Sequence, residues 1–325
     1  MTEQTLPLSF ATILGQEKAK KFLQRSLLSG RVAHAYLFRG PDGVGKQLCA
    51  RVVAARINCT ESQTQEPCGR CRSCRKYLSG NHPDITIISP EGGTIKIDRV
   101  RDLCRSLSYP PYESTMRVVI IEDVHTMRPE AANSLLKTLE EPPENNLLIL
   151  TAGASREILP TIVSRCQTIP FYGLSIDQTR TILGKFRPDL ETNDANLLSR
   201  LAEGSPGQAL LFEERGLVDI WKKVVKVVQK EANDSSESIS TIVSLADTLT
   251  TLKENLIPLL GLIRIWVRDQ MVGESGRSSP AIQRHQARLA ALDRAERQLA
   301  RNCNRALVCE VLLFNLQSPV PGVSF

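Results

Sequence analysis

The 325-residue sequence predicts an α/β fold: a parallel sheet flanked by helices with a phosphate-loop signature, then two wholly helical parts. Three observations carry the prediction. Short, almost unbroken apolar runs alternate with helical patterns as far as about residue 170, the rhythm of strands covered on both faces. A glycine-rich run, Gly40-Pro-Asp-Gly-Val-Gly-Lys-Gln, stands between one such strand and a helical stretch. Beyond residue 171 strand patterns cease and apolar residues recur at helical spacing.

The expected strands are Ala35 to Phe38, Asp84 to Ile88, Val118 to Ile121, Leu147 to Thr151 and Gln167 to Ile169. Helices fall between them, for example Ala131 to Glu140, halted by Pro142 and Pro143. Residues 172–213 read as a small helical domain, with a cap at Ser175 and a junction at Gly204-Ser-Pro-Gly. Residues 214–325 read as a helical bundle: Leu217 to Lys230, Ser238 to Leu252, Leu256 to Met271, Ile282 to Leu299 and Asn302 to Leu316. The polar stretches from Asn233 to Ser238 and from Gly273 to Pro280 are expected loops. Leu256, Leu259, Leu260, Ile263 and Val267 share one helical face and are core candidates.

A hydrophobic share of 42% and a charged share of 23% describe an ordinary globular chain, and 5% aromatics an aliphatic core. A net charge of +6 permits nucleic-acid contact without requiring it. The opening MTEQTLPLSF has no basic segment followed by an apolar run, and the apolar stretch Leu256 to Val267 is too short for a bilayer and holds Arg264. A cytoplasmic chain without membrane contact is expected. Its nine cysteines then point to thiols and metal rather than disulfides.

In the phosphate-loop pattern Gly40, Gly43 and Gly45 let backbone N–H groups curl round phosphates while Lys46 reaches the terminal ones. A glycine-rich turn without ligand is the alternative. The pattern departs at its last position, where a Ser or Thr hydroxyl normally meets Mg²⁺ and Gln47 stands instead. The strand Val118-Val-Ile-Ile ends in Glu122 and Asp123, a carboxylate pair suited to Mg²⁺ and an attacking water but in reversed order. Each acid is one methylene wrong for its task, so efficient ATP hydrolysis is not expected, though ATP or ADP binding stays open.

Cys59, Cys68, Cys71 and Cys74 form a C-x8-C-x2-C-x2-C pattern, spaced for a closed structural Zn²⁺ site within an insertion at 59–74. Arg70, Arg72, Arg75 and Lys76 between and beside them allow a DNA-binding knuckle, but solvated charge round a dianionic tetrathiolate is the simpler reading. Cys49, Cys104, Cys166, Cys303 and Cys309 are read as small core residues.

The sequence resembles the clamp-loader branch of the AAA+ proteins, and within it the delta-prime family of bacterial DNA polymerase III. The likeness rests on Ile13-Leu-Gly-Gln-Glu, His34-Ala-Tyr-Leu-Phe-Arg-Gly, the four-cysteine insertion, Asn133-Ser-Leu-Leu-Lys-Thr-Leu-Glu-Glu-Pro-Pro, Ser164-Arg-Cys and Gly204-Ser-Pro-Gly-Gln-Ala-Leu. It covers most of the first 210 residues; the last 110 match in helical type only. It implies an AAA+ domain over 1–171, a lid over 172–213 and a collar over 214–325. It implies partners too: gamma/tau and delta subunits in a heteropentamer, the sliding clamp and, through the complex, primer-template DNA. Arg165 matches the arginine that enters a neighbour's ATP site, Thr151 matches the first sensor, and Gly207 replaces the second-sensor arginine of active subunits. The resemblance thus implies a subunit that assists hydrolysis next door. A catalytically active gamma/tau-type ATPase and a stand-alone zinc-dependent DNA-binding protein are the alternatives.

Overall fold

The computed structural model describes residues 9–61, 65–154, 156–229, 235–273 and 279–319. The described strands are β1 (Ala35–Arg39), β2 (Ile85–Ile88), β3 (Arg117–Ile121), β4 (Asn146–Ala152) and β5 (Gln167–Pro170). They form one parallel sheet in the order β2-β3-β4-β1-β5, within a residue or two of the expected strands. Helices α1 (Glu17–Ser29), α2 (Lys46–Ile57), α3 (Arg72–Leu78), α4 (Ile97–Leu107), α5 (Pro129–Glu140) and α6 (Pro160–Val163) connect or flank them. The helical remainder is α7 (Ile176–Phe186), α8 (Thr192–Leu201), α9 (Pro206–Glu214), α10 (Leu217–Gln229), α11 (Ser235–Thr251), α12 (Leu256–Gly273), α13 (Ser279–Ala300) and α14 (Arg305–Gln317).

The near-continuous apolar strands are explained by burial on both faces. Alternate residues of β1, β3 and β4 point to opposite sides. Tyr36, Phe38, Val118, Ile120, Leu147 and Ile149 join Leu23 of α1 and Val52 and Val53 of α2 in one core. Leu37, Val119, Ile121, Leu148 and Leu150 join Val100 and Leu103 of α4 and Leu135 and Leu139 of α5 in the other. All seven β4 residues are buried.

The chain divides into two compact units, Met1–Pro188 with Glu203–Gln208, and Asp189–Ala202 with Ala209–Phe325. In the second unit Leu256, Leu259, Leu260, Ile263 and Val267 are buried as their spacing predicts. Buried Arg288 donates to the carbonyls of Val228 and Leu316 at the ends of α10 and α14, satisfying acceptors that a helix cannot fill internally. No described helix is long and apolar enough to cross a membrane. Ser175 caps α7 in a reciprocal box with Gln178. The expected loop at 233–238 is corrected in part: residues 233 and 234 lie outside the described residues, whereas 235–238 already belong to α11. Ser and Glu are suited to a helix's first turn, so their polarity misled the loop reading. Of the expected loop from Gly273 to Pro280, residues 274–278 lie outside the described residues, and Ser279 and Pro280 open α13.

The connection from α4 to β3 is fastened by a buried charge. Asp84, fully buried just before β2, accepts from the N–H groups of Tyr112 (2.5 Å), Glu113 (2.9 Å) and Ser114 (2.9 Å). Arg117 lies 4.0 Å from its carboxylate and donates to the carbonyls of Tyr109 and Pro110. Burial alone would raise the Asp84 pKa; the three N–H groups outweigh it and hold it below the usual carboxylate value. Its stabilisation is therefore present above the unfolded pKa near 4 and is lost as pH falls through the lower folded value. Asp84→Ala should destabilise the protein by about 3 kcal/mol in urea unfolding at pH 7. The gap between wild type and variant should narrow below about pH 4. A gap that does not change with pH would remove the charge from this role.

Candidate nucleotide pocket and metal centre

Parallel register sets the first site. Phe38 pairs with Thr151 and Ile121 with Leu150, so the carboxyl ends of β1, β3 and β4 lie side by side, where open α/β sheets hold ligands. A cavity of about 270 Å³ there is lined by Asp42, Gly43, Gly45, Lys46, Gln47, Leu48, Asp123 and Thr151. Gly43 and Gly45 have φ of 73° and 99°, a region that side chains rarely adopt. Gly40 contributes its carbonyl rather than lining, and a Cβ on it would lie 2.3 Å from the Phe171 carbonyl oxygen.

Lys46 is buried, and its ammonium is turned onto its own loop. It donates to the carbonyls of Gly40 (2.7 Å) and Pro41 (2.6 Å) and pairs with Asp42 at 3.3 Å. Burial lowers its pKa, opposed by the charges of Asp42 and Asp123. The loop apex is also fastened to the turn before and within α9. Ser205 Oγ donates to the Asp42 carbonyl (2.5 Å) and Gly207 N–H to that of Gly43 (3.0 Å). A Cβ on Gly207 would stand 2.7 Å from Gly43 Cα, so two glycines are required for this approach.

The two acids part company. Asp123, at φ 50°, lines the cavity, and its N–H donates to buried Thr151 Oγ1 (3.1 Å). Glu122 is not among the lining residues: Ser89 Oγ donates to it at 2.7 Å and Arg51 pairs with it at 3.7 Å. Asp42, Ser205 and Arg51 were not singled out from sequence, since the meetings of Asp42 with Lys46, of Ser205 with the Asp42 carbonyl and of Arg51 with Glu122 are made by the fold. Gln16 was visible only inside its motif; its side chain donates to the carbonyls of Val44 and Tyr172.

Arg165 lies at the other end of the sheet. It precedes β5, whose Gln167 pairs with Tyr36 near the start of β1, and its carbonyl lies 3.1 Å from His34 Nε2. The phosphate loop follows the far end of β1, about 20 Å away at roughly 3.3 Å per residue, beyond an arginine's reach. Its guanidinium donates to the Thr161 carbonyl (3.0 Å) and pairs with Glu140 (2.6 Å).

The four cysteines converge as their spacing predicts. The Sγ atoms of Cys59, Cys68, Cys71 and Cys74 lie within 4.8 Å of one another, near the ~3.8 Å separation of sulfurs round a tetrahedral zinc. The N–H groups of Cys68, Cys71 and Cys74 donate to Sγ of Cys59, Cys68 and Cys71 at 3.3–3.4 Å, arrangements that favour thiolate. Burial pushes the Cys71 thiol up, but N–H donation from Cys74 and contacts with Thr60 outweigh it and bring it to about 6; burial raises Cys59 and Cys74. Four converging sulfurs without a carboxylate fit a metal such as zinc. The module is tied to the sheet: Ser73 of α3 meets His82 Nε2 at 3.0 Å, while His82 Nδ1 accepts from Asp84 N–H at 3.2 Å. Of the remaining cysteines, Cys49 and Cys309 are buried and Cys104 and Cys166 half-buried, but Cys303 is exposed, which corrects its expected core place. It lies in the turn between α13 and α14, open to solvent among the described residues.

The model of the family described as DNA polymerase III, delta subunit, matches residues 15–175, spanning both centres. The chain belongs to this family of clamp-loader subunits. It is 37% identical over 215 residues to DNA polymerase III subunit delta-prime of Bacillus subtilis, covering 66% of this chain and 64% of that protein. It is 36% identical over 215 residues to subunit tau of Escherichia coli, covering 65% of this chain and 33% of that one. The chain thus spans about a third of the tau subunits it matches and under two thirds of the delta-prime subunit. The crystal structure of a gamma-subunit-related protein of Thermotoga maritima aligns with a TM-score of 0.49 at 20% identity, over 92% of this chain and 98% of that one.

The contact between Gly43 and Gly207 makes a direct prediction. Gly207→Ala should push the phosphate loop from its partner turn and lower stability by about 1–3 kcal/mol, read as a fall in melting temperature. An unshifted melt would show that the two backbones do not meet so closely.

Proposed function

We propose that this chain is a delta-prime-type subunit of a bacterial clamp loader, helping to place the sliding clamp on primed DNA during replication. In this role it lends Arg165 to the ATP site of a neighbouring gamma/tau-type subunit. What supports the reading is the separation of Arg165 from the chain's own phosphate loop: its backbone lies level with the start of β1, about 20 Å along the strand from the loop at roughly 3.3 Å per residue, so the chain's own phosphate site is out of its reach. There it would neutralise charge on the transferred phosphoryl group, a contribution worth ~10³–10⁵ in rate in related GTPase chemistry.

The home pocket points the same way. Lys46 is engaged by its own loop, Gln47 offers no hydroxyl, and Glu122 is drawn toward Ser89 and Arg51. Mg²⁺ tolerates such displaced ligands poorly, so the subunit hydrolyses little ATP by itself. Cys59, Cys68, Cys71 and Cys74 would hold one structural Zn²⁺, which closes the 59–74 module by joining its ends. The proposed organisation is an AAA+ domain over 1–171, a lid over 172–213 and a collar over 214–325 that joins the collars of delta and gamma/tau. The 36% identity to tau favours a second reading, an active gamma/tau-type ATPase. Brisk steady-state ATP turnover by the purified chain would select it.

In a complex reconstituted with motor subunits, clamp and primed DNA, Arg165→Ala should cut stimulated ATP hydrolysis roughly a hundredfold or more while assembly persists. An undiminished rate would sink the proposed role. Protein purified without added zinc should carry about one Zn per chain by elemental analysis, and Cys74→Ser should lose it. Folded wild-type protein free of zinc would dismiss the metal.

A further inference from the structure

We infer that Glu140 is the positioning residue for Arg165, holding its guanidinium in the orientation it presents to a neighbouring active site. The inference rests on the proposed trans role of Arg165. Glu140 is the last residue of α5, with Pro142 and Pro143 just beyond it. A carboxylate is electrostatically misplaced there, because a helix's carboxyl end carries partial negative charge. A cation meets it: Arg165 NH2 lies 2.6 Å from Glu140 Oε1. Arg165 NH1 donates to the Thr161 carbonyl (3.0 Å) and Ser164 Oγ (3.2 Å), and the Arg165 carbonyl faces His34 Nε2.

Both side chains remain partly open to solvent, Glu140 by 49% and Arg165 by 33%. An ion pair so exposed adds little to stability. What it supplies is direction. A planar guanidinium held at NH1 by a carbonyl and at NH2 by a carboxylate has lost its freedom to rotate, so less order must be imposed when phosphate arrives. Glu140 touches neither nucleotide nor phosphate in this role; it acts through Arg165.

The test is a double-mutant cycle in the reconstituted complex, with motor subunits, clamp, primed DNA and ATP. Glu140→Ala should lower the kcat of stimulated hydrolysis about tenfold, since small misplacements of a charge-stabilising group are felt strongly, and leave KM for ATP unchanged. In an Arg165→Ala background the same change should have no further effect. Glu140→Gln, which keeps an acceptor oxygen, should retain an intermediate rate. Melting temperatures within a degree or so of wild type will show that the variants fold.

An equal loss in both backgrounds would mean that Glu140 works through something other than Arg165, and the inference fails. It fails also if Glu140→Ala is as fast as wild type, or faster, the latter meaning that the pair restrains the arginine. If Arg165→Ala itself is harmless, the trans role falls first and takes this inference with it. If Arg165→Ala is severe and Glu140→Ala harmless, only the inference is lost.

Discussion

A buried ammonium has to be answered, and in this chain the phosphate loop answers its own. Lys46 spends its donors on Gly40, Pro41 and Asp42, the residues that curl round it. Taking a cation out of water is expensive unless acceptors surround it, so this arrangement fixes the loop's shape. Carbonyls turned inward toward the lysine leave those of Asp42 and Gly43 facing Ser205 and Gly207. The cavity that remains is bordered by two acids, Asp42 and Asp123.

The four-cysteine module is fastened to the sheet domain rather than hanging from it. From Ser73 the hydrogen bonds pass through the His82 ring to the Asp84 backbone, and the Asp84 carboxylate grips the segment that carries Tyr112. Lys76 of α3 pairs directly with Glu113 of that segment. Tyr109 and Tyr112 therefore stand 70% and 83% exposed on a connection whose backbone is held from beneath. A closed four-sulfur centre fits this use, since its contribution is rigidity rather than chemistry.

The sheet was legible in the sequence because strands buried on both faces leave a signature that nothing else in a soluble chain needs. Ser175 announced its helix through Gln178 three residues on, and the cysteines announced their meeting through spacing alone. Partnerships made by the fold were not legible. Glu140 and Arg165 are neighbours only because α5 and the segment before β5 come together, and the contacts of Glu122 with Ser89 and Arg51 likewise join residues remote in the chain. The turn into α11 failed for a different reason: serines and glutamate serve a loop and a helix start equally well.

The first carbon of any side chain at position 207 would collide with Gly43. A codon change alone cannot seat a larger residue there; the backbone at Gly43 would have to retreat as well. Position 207 and the loop at Gly43 are thus interlocked, and a side chain could enter here only through two coordinated changes.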